Sequence, residues 1–316
     1  MILPSVIDAI GNTPMVELSR LCARLNLNGR IVAKLDYLLP GFSKKDRAAR
    51  SIIEMARADG TLAPGQTVVE LTSGNMGTGL AIVCGILGHP FIAVMSAGNS
   101  VERARMMRAL GAQVIIVPQA HGSKPGEVSG ADLELVDAEA KRITTERNAF
   151  RADQFGHSGN PKTHETGTGP EIWAQSEGAV TAFCDFAGSG GTLAGAAKFL
   201  NRHGVRCYAV EPEGARALAG ETISTPDHPI QGGGYAMSEL VHMNGTALAG
   251  HLAVSGEAAR ECARLLARTE GIFAGYSAGA NLSAAIELLR GPEEGGCIAI
   301  VMCDSGLKYL STDLWE

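Results

Sequence analysis

The sequence VVELTSGNMGTGLAIVCGILGHPFIAVM, at residues 68–95, determines the fold class of this chain. A short apolar run at 68–71 precedes a longer apolar segment at 76–87, and a second short run follows at 91–95. Runs of strand length that alternate with segments of helical length predict parallel strands, because parallel strands need helical crossovers and both sheet faces must be covered. The stretch therefore predicts a βαβ unit.

The same alternation extends along most of the chain. It continues with a helix at 101–110 and a strand at 114–117, and it recurs with strands at 180–186, 208–210, 272–274 and 298–302 and helices at 192–200, 258–267 and 280–289. We therefore predict an α/β protein with two doubly wound parallel-sheet domains. The polar stretch 119–130 predicts a loop, and a domain boundary is predicted near 149–155.

Composition and charge narrow the range of partners. With 27 basic and 33 acidic residues the net charge is -6, which does not suit nucleic acid or an anionic membrane surface. The uncharged stretch 71–101 is interrupted by Asn75 and by His89-Pro90, which favours buried strands and a helix over a membrane span. Seven cysteines without a C-x-x-C pair, and an N-terminus without an export signal, lead us to expect a cytoplasmic protein with small-molecule partners.

Glycine is unusually frequent, with 40 residues, and it is clustered at 74–79, 188–195, 232–234 and 275–279. Because glycine has no side chain, such clusters predict places where the backbone approaches a ligand closely. Three of these clusters follow a predicted strand and open a predicted helix, where backbone N–H groups can bind an anion.

Residues 40–47 read PGFSKKDR and predict the start of a helix. Ser43 and Asp46 have the spacing of a capping box, and Gly60 has the position of a helix terminator. Lys45 is therefore expected in the first helical turn.

A lysine in that position is a candidate nucleophile. The positive end of the helix dipole, together with the charges of Lys44 and Arg47, disfavours the ammonium form of Lys45. An uncharged amine is what Schiff-base chemistry requires. The alternative is that Lys44 and Lys45 are two solvated lysines, and this segment alone leaves both interpretations open.

Two further strand-to-helix junctions can hold anions. The segment TSGNMG at 72–77 offers N–H groups, hydroxyls and an amide that can orient a carboxylate, although a plain capped turn has the same pattern. The segment GSGGT at 188–192 admits a phosphate close to the backbone. It also supports a rival nicotinamide-dinucleotide interpretation with Glu211, but Leu193 stands where that fingerprint requires its third glycine.

The junction GYSAG at 275–279 has the form of a serine-hydrolase nucleophile elbow. A triad of that type requires a histidine after Ser277 in chain order, and the sequence has none there. The eight histidines show neither an H-E-x-x-H motif nor close ligand spacing, so we assign no metal ligands.

In their order along the chain, these segments resemble the cysteine synthase and cystathionine β-synthase family, which are pyridoxal-phosphate-dependent enzymes of fold type II. The resemblance covers nearly the whole chain, from IGNTP at 10–14 to KYLS at 308–311. It implies a tryptophan synthase β-like fold with a smaller, mobile domain at 38–148 and a larger domain, formed by 1–37 and 149–316, that carries the phosphate loop. It also implies pyridoxal 5'-phosphate as the cofactor and a homodimer.

The resemblance assigns roles to single residues. Lys45 is the expected catalytic and Schiff-base lysine, because it directly precedes the Asp46-Arg47 pair. The other expected cofactor-binding residues are Asn75 at the 3'-oxygen, Gly188, Ser189, Gly190, Gly191 and Thr192 at the phosphate, and Ser277 at the pyridine nitrogen. The expected substrate-binding residues are Thr72, Ser73, Asn75, Met76, Gln154, Gly232 and Tyr235.

Three departures from the family pattern predict altered specificity. Met76 stands where these synthases have threonine, and the alternative role for it is a core residue that opens an apolar helix. Phe42 replaces a small residue just before Ser43 and can narrow the site. The loop 122–130 is longer than the family's connection, and we favour a lid over a tolerated surface insertion.

The predicted activity is β-replacement on serine or an O-activated serine, with a thiol or sulfide as the nucleophile. In the chemistry that the resemblance implies, freed Lys45 removes the α-proton, a leaving group departs from Cβ, and the nucleophile adds to an aminoacrylate. One alternative stops at elimination, as in a serine or threonine dehydratase-like ammonia-lyase. Two others are a catalytically weak paralogue that binds another enzyme, and a nicotinamide-dependent oxidoreductase.

Overall fold

The computed structural model describes residues 2–72, 74–123, 128–226 and 228–316. The strands are β1 (Met15–Glu17), β2 (Arg30–Lys34), β3 (Val68–Leu71), β4 (Phe91–Ser96), β5 (Gln113–Val117), β6 (Phe150–Arg151), β7 (Ala182–Phe186), β8 (Arg206–Pro212), β9 (Gly250–Val254) and β10 (Cys297–Val301). The α-helices are α1 (Ser19–Arg24), α2 (Lys45–Ala58), α3 (Asn75–Leu87), α4 (Val101–Ala109), α5 (Gly130–Glu146), α6 (Gly159–Thr163), α7 (Gly169–Gln175), α8 (Gly191–Leu200), α9 (Gly256–Glu270) and α10 (Tyr276–Leu289).

These strands form two sheets. The larger has the order β1-β2-β10-β7-β8-β9, and the smaller has the order β5-β4-β3-β6. Within the described residues, each hydrogen-bonded pair of strands is parallel apart from β1 with β2. The predicted α/β fold with two parallel-sheet domains is therefore confirmed, with an antiparallel edge strand added to the larger sheet. The bounds given above for the two domains stay a prediction.

The burial of β3, α3 and β4 explains why this stretch decides the fold. Each residue of the two strands is buried, as expected for parallel strands that are covered on both faces. The helix between them is apolar on most sides, and its residues 76–84 are buried. Helix α2 adds one apolar face, with Ile52 and Ile53 fully buried in the same cluster. This packing fixes the start of α3, where the candidate carboxylate-binding segment lies.

The predicted capping box at the start of α2 is wrong. The helix begins at Lys45, and Lys44 at the cap position makes no side-chain capping bond. Ser43 is buried in an isolated β-bridge, and Oδ2 of Asp46 accepts a hydrogen bond from the Gly41 N–H at 2.5 Å. The Asp46 side chain therefore stabilises the loop before the helix, and neither side chain makes the predicted capping bond.

The predicted strand at 272–274 is also wrong. Ala274 makes only an isolated bridge with Ser305, because the three residues connect α9 directly to α10. The edge of the larger sheet opposite β1 is β9, which pairs with β8. Helix α5 and the strands β1, β2 and β9 go beyond the sequence prediction. None of the helices in the described part of the chain is both long and apolar enough to cross a membrane.

Candidate active site

A cleft at the carboxyl ends of β3 and β7 gathers most of the predicted cofactor-binding residues. It encloses about 470 Å³ of unfilled space, including its open mouth. The residues that line it are Lys44, Lys45, Asn75, Asp185, Phe186, Ala187, Gly188, Ser189, Gly190, Gly191, Thr192, Gln231, Gly232, Ser277 and Cys303. Open parallel sheets bind ligands at this end of their strands. Each predicted cofactor-binding residue thus borders one cavity, although they come from distant parts of the sequence.

Lys45 is the first residue of α2, and its Nζ lies 3.2 Å from Oγ of Ser189. Burial and, after it, the neighbouring ammonium of Lys44 together lower the pKa of Lys45 to about 8. The predicted influence of Lys44 on Lys45 therefore agrees with the structure. The predicted influence of Arg47 on Lys45 does not agree with the structure, because the Arg47 guanidinium is directed at Asp36 and Glu171.

Arg47 is buried between two carboxylates. It donates hydrogen bonds of 2.9 Å to both carboxylate oxygens of Asp36 and of 2.7 Å to both carboxylate oxygens of Glu171. These hydrogen bonds hold the pKa of Glu171 at about 2, although burial alone would raise it. The charge of Arg47 is therefore neutralised locally, and its role is to fasten α2 to α7.

Lys44 is also buried, but its ammonium is paired. Its Nζ lies 2.7 Å from Oδ1 and 2.6 Å from Oδ2 of Asp185 at the end of β7. Nδ2 of Asn281 donates a further hydrogen bond of 3.2 Å to Oδ1 of Asp185. The two consecutive lysines therefore have different environments, because Lys44 faces a carboxylate and Lys45 faces a hydroxyl.

The loop 188–192 forms a cradle at the start of α8. Gly190 caps the helix with φ 80, a left-handed conformation that glycine adopts without strain. A side chain at Gly188 would bring Cβ to 2.9 Å from the Gly232 carbonyl oxygen, and one at Gly191 would overlap Asn160. The first N–H groups of a helix lack intrahelical partners, so this uncovered backbone presents donors to the cleft. These residues fit a phosphate group.

Two side chains complete the cradle. Oγ of Ser189 accepts a hydrogen bond of 2.9 Å from Nδ2 of Asn160, and Oγ1 of Thr192 lies 3.3 Å from Nε2 of His164. Burial, with the nearby cations, keeps the pKa of His164 well below its ordinary value, so this imidazole is neutral. Asn160 and His164 position the two hydroxyls, and the pattern of the sequence does not by itself assign them that task.

Asn75 borders the cleft with its amide already oriented. Its Nδ2 donates to Oδ2 of Asp304 at 2.7 Å, and its Oδ1 accepts from Nζ of Lys308 at 2.7 Å. Tyr309 donates a hydrogen bond of 2.7 Å to the same Oδ2 of Asp304. Asp304 and Lys308 belong to the C-terminal motif that carries the family resemblance, but only the structure gives them a function at this site.

The candidate carboxylate-binding loop is held by Thr72. Its Oγ1 accepts hydrogen bonds of 2.9 Å from the N–H groups of Gly74 and Gly77, so the loop is folded around this hydroxyl. The Gln154 amide donates to the carbonyl oxygen of Leu71 at 3.1 Å and thus lies beside the same loop. Ser73, the remaining predicted member, lies outside the described residues.

Two of the predicted specificity residues do not line this cleft. Met76 is only 2% exposed and packs in the hydrophobic cluster of the smaller domain, which favours the core role for it. Phe42 is 43% exposed and is not among the residues that line the cleft of Lys45. The substrate-binding role of Met76 stays a prediction, and the expected narrowing of the site by Phe42 has no support in its placement.

A second, larger cleft adjoins the first at Gln231 and Gly232. Tyr235 lines this outer cleft, and its ring contacts that of Phe155 edge-on, with 6.1 Å between the centroids. Residues 128–130 line it as well. The predicted lid, 122–130, lies partly outside the described residues, so its role stays a prediction.

Ser277 is in the first turn of α10, where its side chain contacts the thiol of Cys303. Burial raises the pKa of that thiol to about 12, so both groups are neutral at this end of the cleft.

Glu211, on which the nicotinamide alternative depends, accepts a hydrogen bond of 2.8 Å from the Leu218 N–H and lies 3.1 Å from His251. It does not border the cleft that Lys45 and Ser277 line, although it shares a separate, smaller pocket with Gly188.

Comparison with known proteins agrees with this geometry. The family described as pyridoxal-phosphate dependent enzyme matches residues 6–304. Cysteine synthase 3 of Caenorhabditis elegans is 39% identical over 313 residues, which cover 98% of this chain and 89% of that protein. O-ureido-L-serine synthase of Streptomyces lavendulae is 37% identical over 320 residues, which cover 99% of this chain and 92% of that protein.

A solved structure agrees as well. That of the O-acetylserine dependent cystathionine β-synthase from Helicobacter pylori superposes with a TM-score of 0.90 at 29% identity and covers 100% of both chains. The predicted cofactor, the fold type II architecture and a β-replacement activity of the cysteine synthase type are thereby confirmed, and the ammonia-lyase alternative is not favoured. The chain belongs to the family of pyridoxal-phosphate-dependent enzymes.

Proposed function

We propose that the protein replaces the β-substituent of an O-activated serine with sulfide or a thiol. The observation that carries this proposal is the position of Lys45, whose Nζ lies 3.2 Å from Ser189 in the phosphate cradle and whose pKa burial lowers to about 8. At pH 7 a pKa of about 8 leaves about a tenth of this amine uncharged. Such an amine can bond an aldehyde and can later accept a proton at Nζ.

The bound cofactor supplies an aldehyde that bonds amines and a conjugated ring that withdraws electrons from the substrate's Cα. We assign its phosphate to the N–H groups and hydroxyls of 188–192, and its ring nitrogen to Ser277. A hydroxyl does not protonate that nitrogen as a carboxylate would, which favours loss of a β-substituent over transamination. Asn75 is assigned to the 3'-oxygen, because its Nδ2 has a second hydrogen besides the one directed at Asp304.

The substrate's α-carboxylate is assigned to the loop that Thr72 organises and to the N–H groups that open α3. Helix N-termini favour anions, and the oxygen of Thr72 already accepts from two N–H groups, so its own hydrogen can be donated to a carboxylate. Gln154 lies beside this loop and is assigned to the same carboxylate. Lys45 is assigned to the α-proton, because its uncharged amine can accept a proton at Nζ.

The outer cleft favours a substrate whose β-substituent is uncharged before it leaves. Among the described residues that line it there is neither lysine nor arginine, and its ionisable groups are His228, Tyr235, Tyr276 and Asp313. A phosphoryl group carries close to two negative charges and requires cations, whereas an acetyl group does not. We therefore propose O-acetylserine, or a similarly neutral O-acylserine, over O-phosphoserine. The names of two relatives, which mention O-substituted serines, are consistent with this choice.

The test is a spectral titration of the purified, cofactor-loaded protein with serine, O-acetylserine and O-phosphoserine, followed by product analysis with and without sulfide. The proposal expects a cofactor absorbance change with O-acetylserine at concentrations at least about tenfold lower than with O-phosphoserine, and cysteine as the main product when sulfide is present. If keto acid and ammonia are the main products in the presence of sulfide, the β-replacement proposal is wrong and the protein has the elimination activity.

A homodimer, a cytoplasmic location and movement of 38–148 as a unit are parts of the same proposal. Sedimentation velocity of the loaded protein tests the first, and fractionation of the native cells tests the second. Small-angle scattering with and without O-acetylserine tests the third, since closure of one domain on the other reduces the radius of gyration.

A further inference from the structure

We propose that Asp185 selects which of two adjacent lysines bonds the cofactor, by holding Lys44 as an ion-paired ammonium and so leaving the reaction to Lys45. This inference rests on the proposed function, because it presumes that an aldehyde is bound in the cleft. It goes beyond that function by assigning a positioning role to Asp185, which acts through another residue. In the described part of the chain its carboxylate accepts hydrogen bonds from Lys44 and Asn281, and none from the phosphate cradle.

The need for selection follows from the geometry of the cleft. Lys44 and Lys45 are consecutive, and both line the same cavity. Both carry primary amines on four-carbon chains, which are long enough to sweep several ångströms. Nothing in the residue types themselves therefore distinguishes the two nucleophiles, and the distinction must come from what surrounds each Nζ.

The surroundings differ in charge. Both oxygens of Asp185 lie within 2.7 Å of Nζ of Lys44, and Asp185 is 1% exposed, so water does not compete for this pair. The neighbour of Nζ in Lys45 is the Ser189 hydroxyl at 3.2 Å, which carries no charge. An ammonium next to a buried carboxylate keeps its proton, whereas one next to a hydroxyl in a buried cleft loses it readily.

The acid–base properties of the two groups agree with this description. Burial alone would lower the pKa of Lys44, but Asp185 raises it above the ordinary lysine value. The pKa of Lys45 is lowered to about 8, first by burial and then by the ammonium of Lys44. The ion pair thus acts twice, since it withholds one amine and its positive end helps to deprotonate the other.

Asp185 also contacts two other side chains, through which it could act as a purely structural residue. Nδ2 of Asn281 donates to it at 3.2 Å, and the Cys303 thiol lies 3.8 Å away. Loss of these contacts would loosen the end of β7 and lower stability, but it would not move a covalent label from one lysine to the next. The site of labelling therefore separates selection from anchoring.

The chemistry to be measured is simple. An uncharged lysine nitrogen forms a bond to an aldehyde carbon, the aldehyde oxygen leaves as water, and hydride from borohydride then converts the carbon–nitrogen double bond to a stable amine. Peptide mapping of the reduced protein reports which lysine carries the cofactor. The Lys45→Ala variant should retain the cofactor through the 188–192 cradle, which makes it the background in which reaction at Lys44 can be seen.

The experiment compares the wild type with Lys45→Ala, Asp185→Asn and the double variant, each loaded with cofactor and reduced with borohydride. The wild type should be labelled at Lys45, and Lys45→Ala should be almost unlabelled. The double variant should carry at least about ten times more label at Lys44 than Lys45→Ala, since one unit of pKa changes the uncharged fraction about tenfold. The control is a second double variant, Lys45→Ala with Asp8→Asn, in which the changed aspartate is exposed. It should carry the same amount of label at Lys44 as Lys45→Ala alone.

If the double variant binds the cofactor and Lys44 stays unlabelled, Asp185 does not select the lysine and the inference is wrong. An unlabelled Lys45 in the wild type would instead contradict the proposed function. Should Asp185→Asn not fold, the unmutated, cofactor-free protein still decides the matter through acylation at one mildly alkaline pH. Selection requires Lys45 to be modified at least about ten times faster than Lys44, and equal rates would refute it.

Discussion

Nζ of Lys308 donates a hydrogen bond of 2.7 Å to the side-chain carbonyl oxygen of Asn75, across 233 positions of sequence. On the other side of the same amide, Nδ2 donates to the carboxylate of Asp304. An ammonium can only donate and an ionised carboxylate can only accept, so these two partners fix which end of the amide is nitrogen. The second hydrogen of Nδ2 is thereby left for the cleft, where a ligand oxygen can accept it.

Lys308→Met tests this arrangement. The change removes the donor to Asn75 and to the Gly41 carbonyl oxygen, which Nζ also contacts at 2.8 Å. A buried acceptor and a partly buried one lose their partner, so the free energy of unfolding should fall by about 1–3 kcal/mol, and the cofactor should bind more weakly. Urea denaturation and equilibrium dialysis measure the two effects.

The matched control is Lys141→Met in α5, where the lysine side chain is 75% exposed and pairs with Asp137. It should change stability by no more than about 0.5 kcal/mol and leave cofactor affinity unaltered. Equal behaviour of the two variants in both assays would mean that Lys308 does not hold Asn75.

Gly191→Ala tests the cradle. A Cβ at this position would overlap the side-chain amide of Asn160, which in turn holds the Ser189 hydroxyl at 2.9 Å. The backbone or Asn160 must move, so the donors aimed at the phosphate lose their alignment. We expect the cofactor dissociation constant to rise at least about tenfold, or about 1.4 kcal/mol.

Gly85→Ala in α3 is the control for that change. There the nearest atom to a new Cβ is the Leu110 carbonyl oxygen at 3.9 Å, an ordinary contact. Alanine in a helix interior stabilises by about 0.5–1 kcal/mol relative to glycine, and cofactor affinity should not change. If Gly191→Ala binds the cofactor as Gly85→Ala does, the 188–192 segment is not the phosphate site.

Local patterns predict the parts of this protein in which short-range forces dominate. The junctions at 72–77 and 188–192 are recognisable because a buried strand, a glycine-rich turn and an apolar helix follow one another within a few residues. Lys45 is recognisable for a related reason, since its helix begins at that residue. In each case the local sequence carries enough information to place the backbone.

Contacts between distant segments are not available from such patterns. The partners of Lys44 and of Asn75 lie 141 and more than 200 positions away, and nothing local to either residue indicates them. Ser43 and Asp46 show the opposite failure. They have the spacing of a capping box, but the Asp46 carboxylate accepts a hydrogen bond from the Gly41 N–H in the preceding loop. Burial and long-range pairing outweigh the local capping preference there.

Met76→Thr decides between the two roles of Met76. The side chain is 2% exposed and packs with Leu80 and Met107 in the core of the smaller domain. Threonine there loses packing and buries a hydroxyl, so a core role predicts a loss of about 2–4 kcal/mol in the free energy of unfolding with an unchanged substrate profile. A changed preference among β-substituted amino acids, at little cost in stability, would support the specificity role. Met237→Thr, at a position that is 43% exposed, should affect neither.

The last prediction concerns the pH dependence of Lys45 in the cofactor-free protein. The pKa of this lysine is lowered to about 8 by burial and by Lys44, against the opposing influence of Asp185, Cys303 and Glu70. Only the uncharged amine is acylated, so the rate of its modification should rise about tenfold per pH unit below pH 8 and level off above it. Mass spectrometry of the Lys45 peptide, at one fixed reagent concentration for each pH, gives the rate.

The direction of the change on mutation follows from the sign of each charge. Lys44→Met removes a positive charge and leaves Asp185 negative, and both effects favour the ammonium form of Lys45. The midpoint of the pH profile of Lys45 acylation should therefore move to higher pH. At pH 7, Lys45 should be acylated more slowly in the variant than in the wild type. Lys162→Met, which changes a side chain that is 53% exposed, should leave the midpoint in place. A midpoint that is unchanged or lower in Lys44→Met would show that the ammonium of Lys44 does not lower the pKa of Lys45.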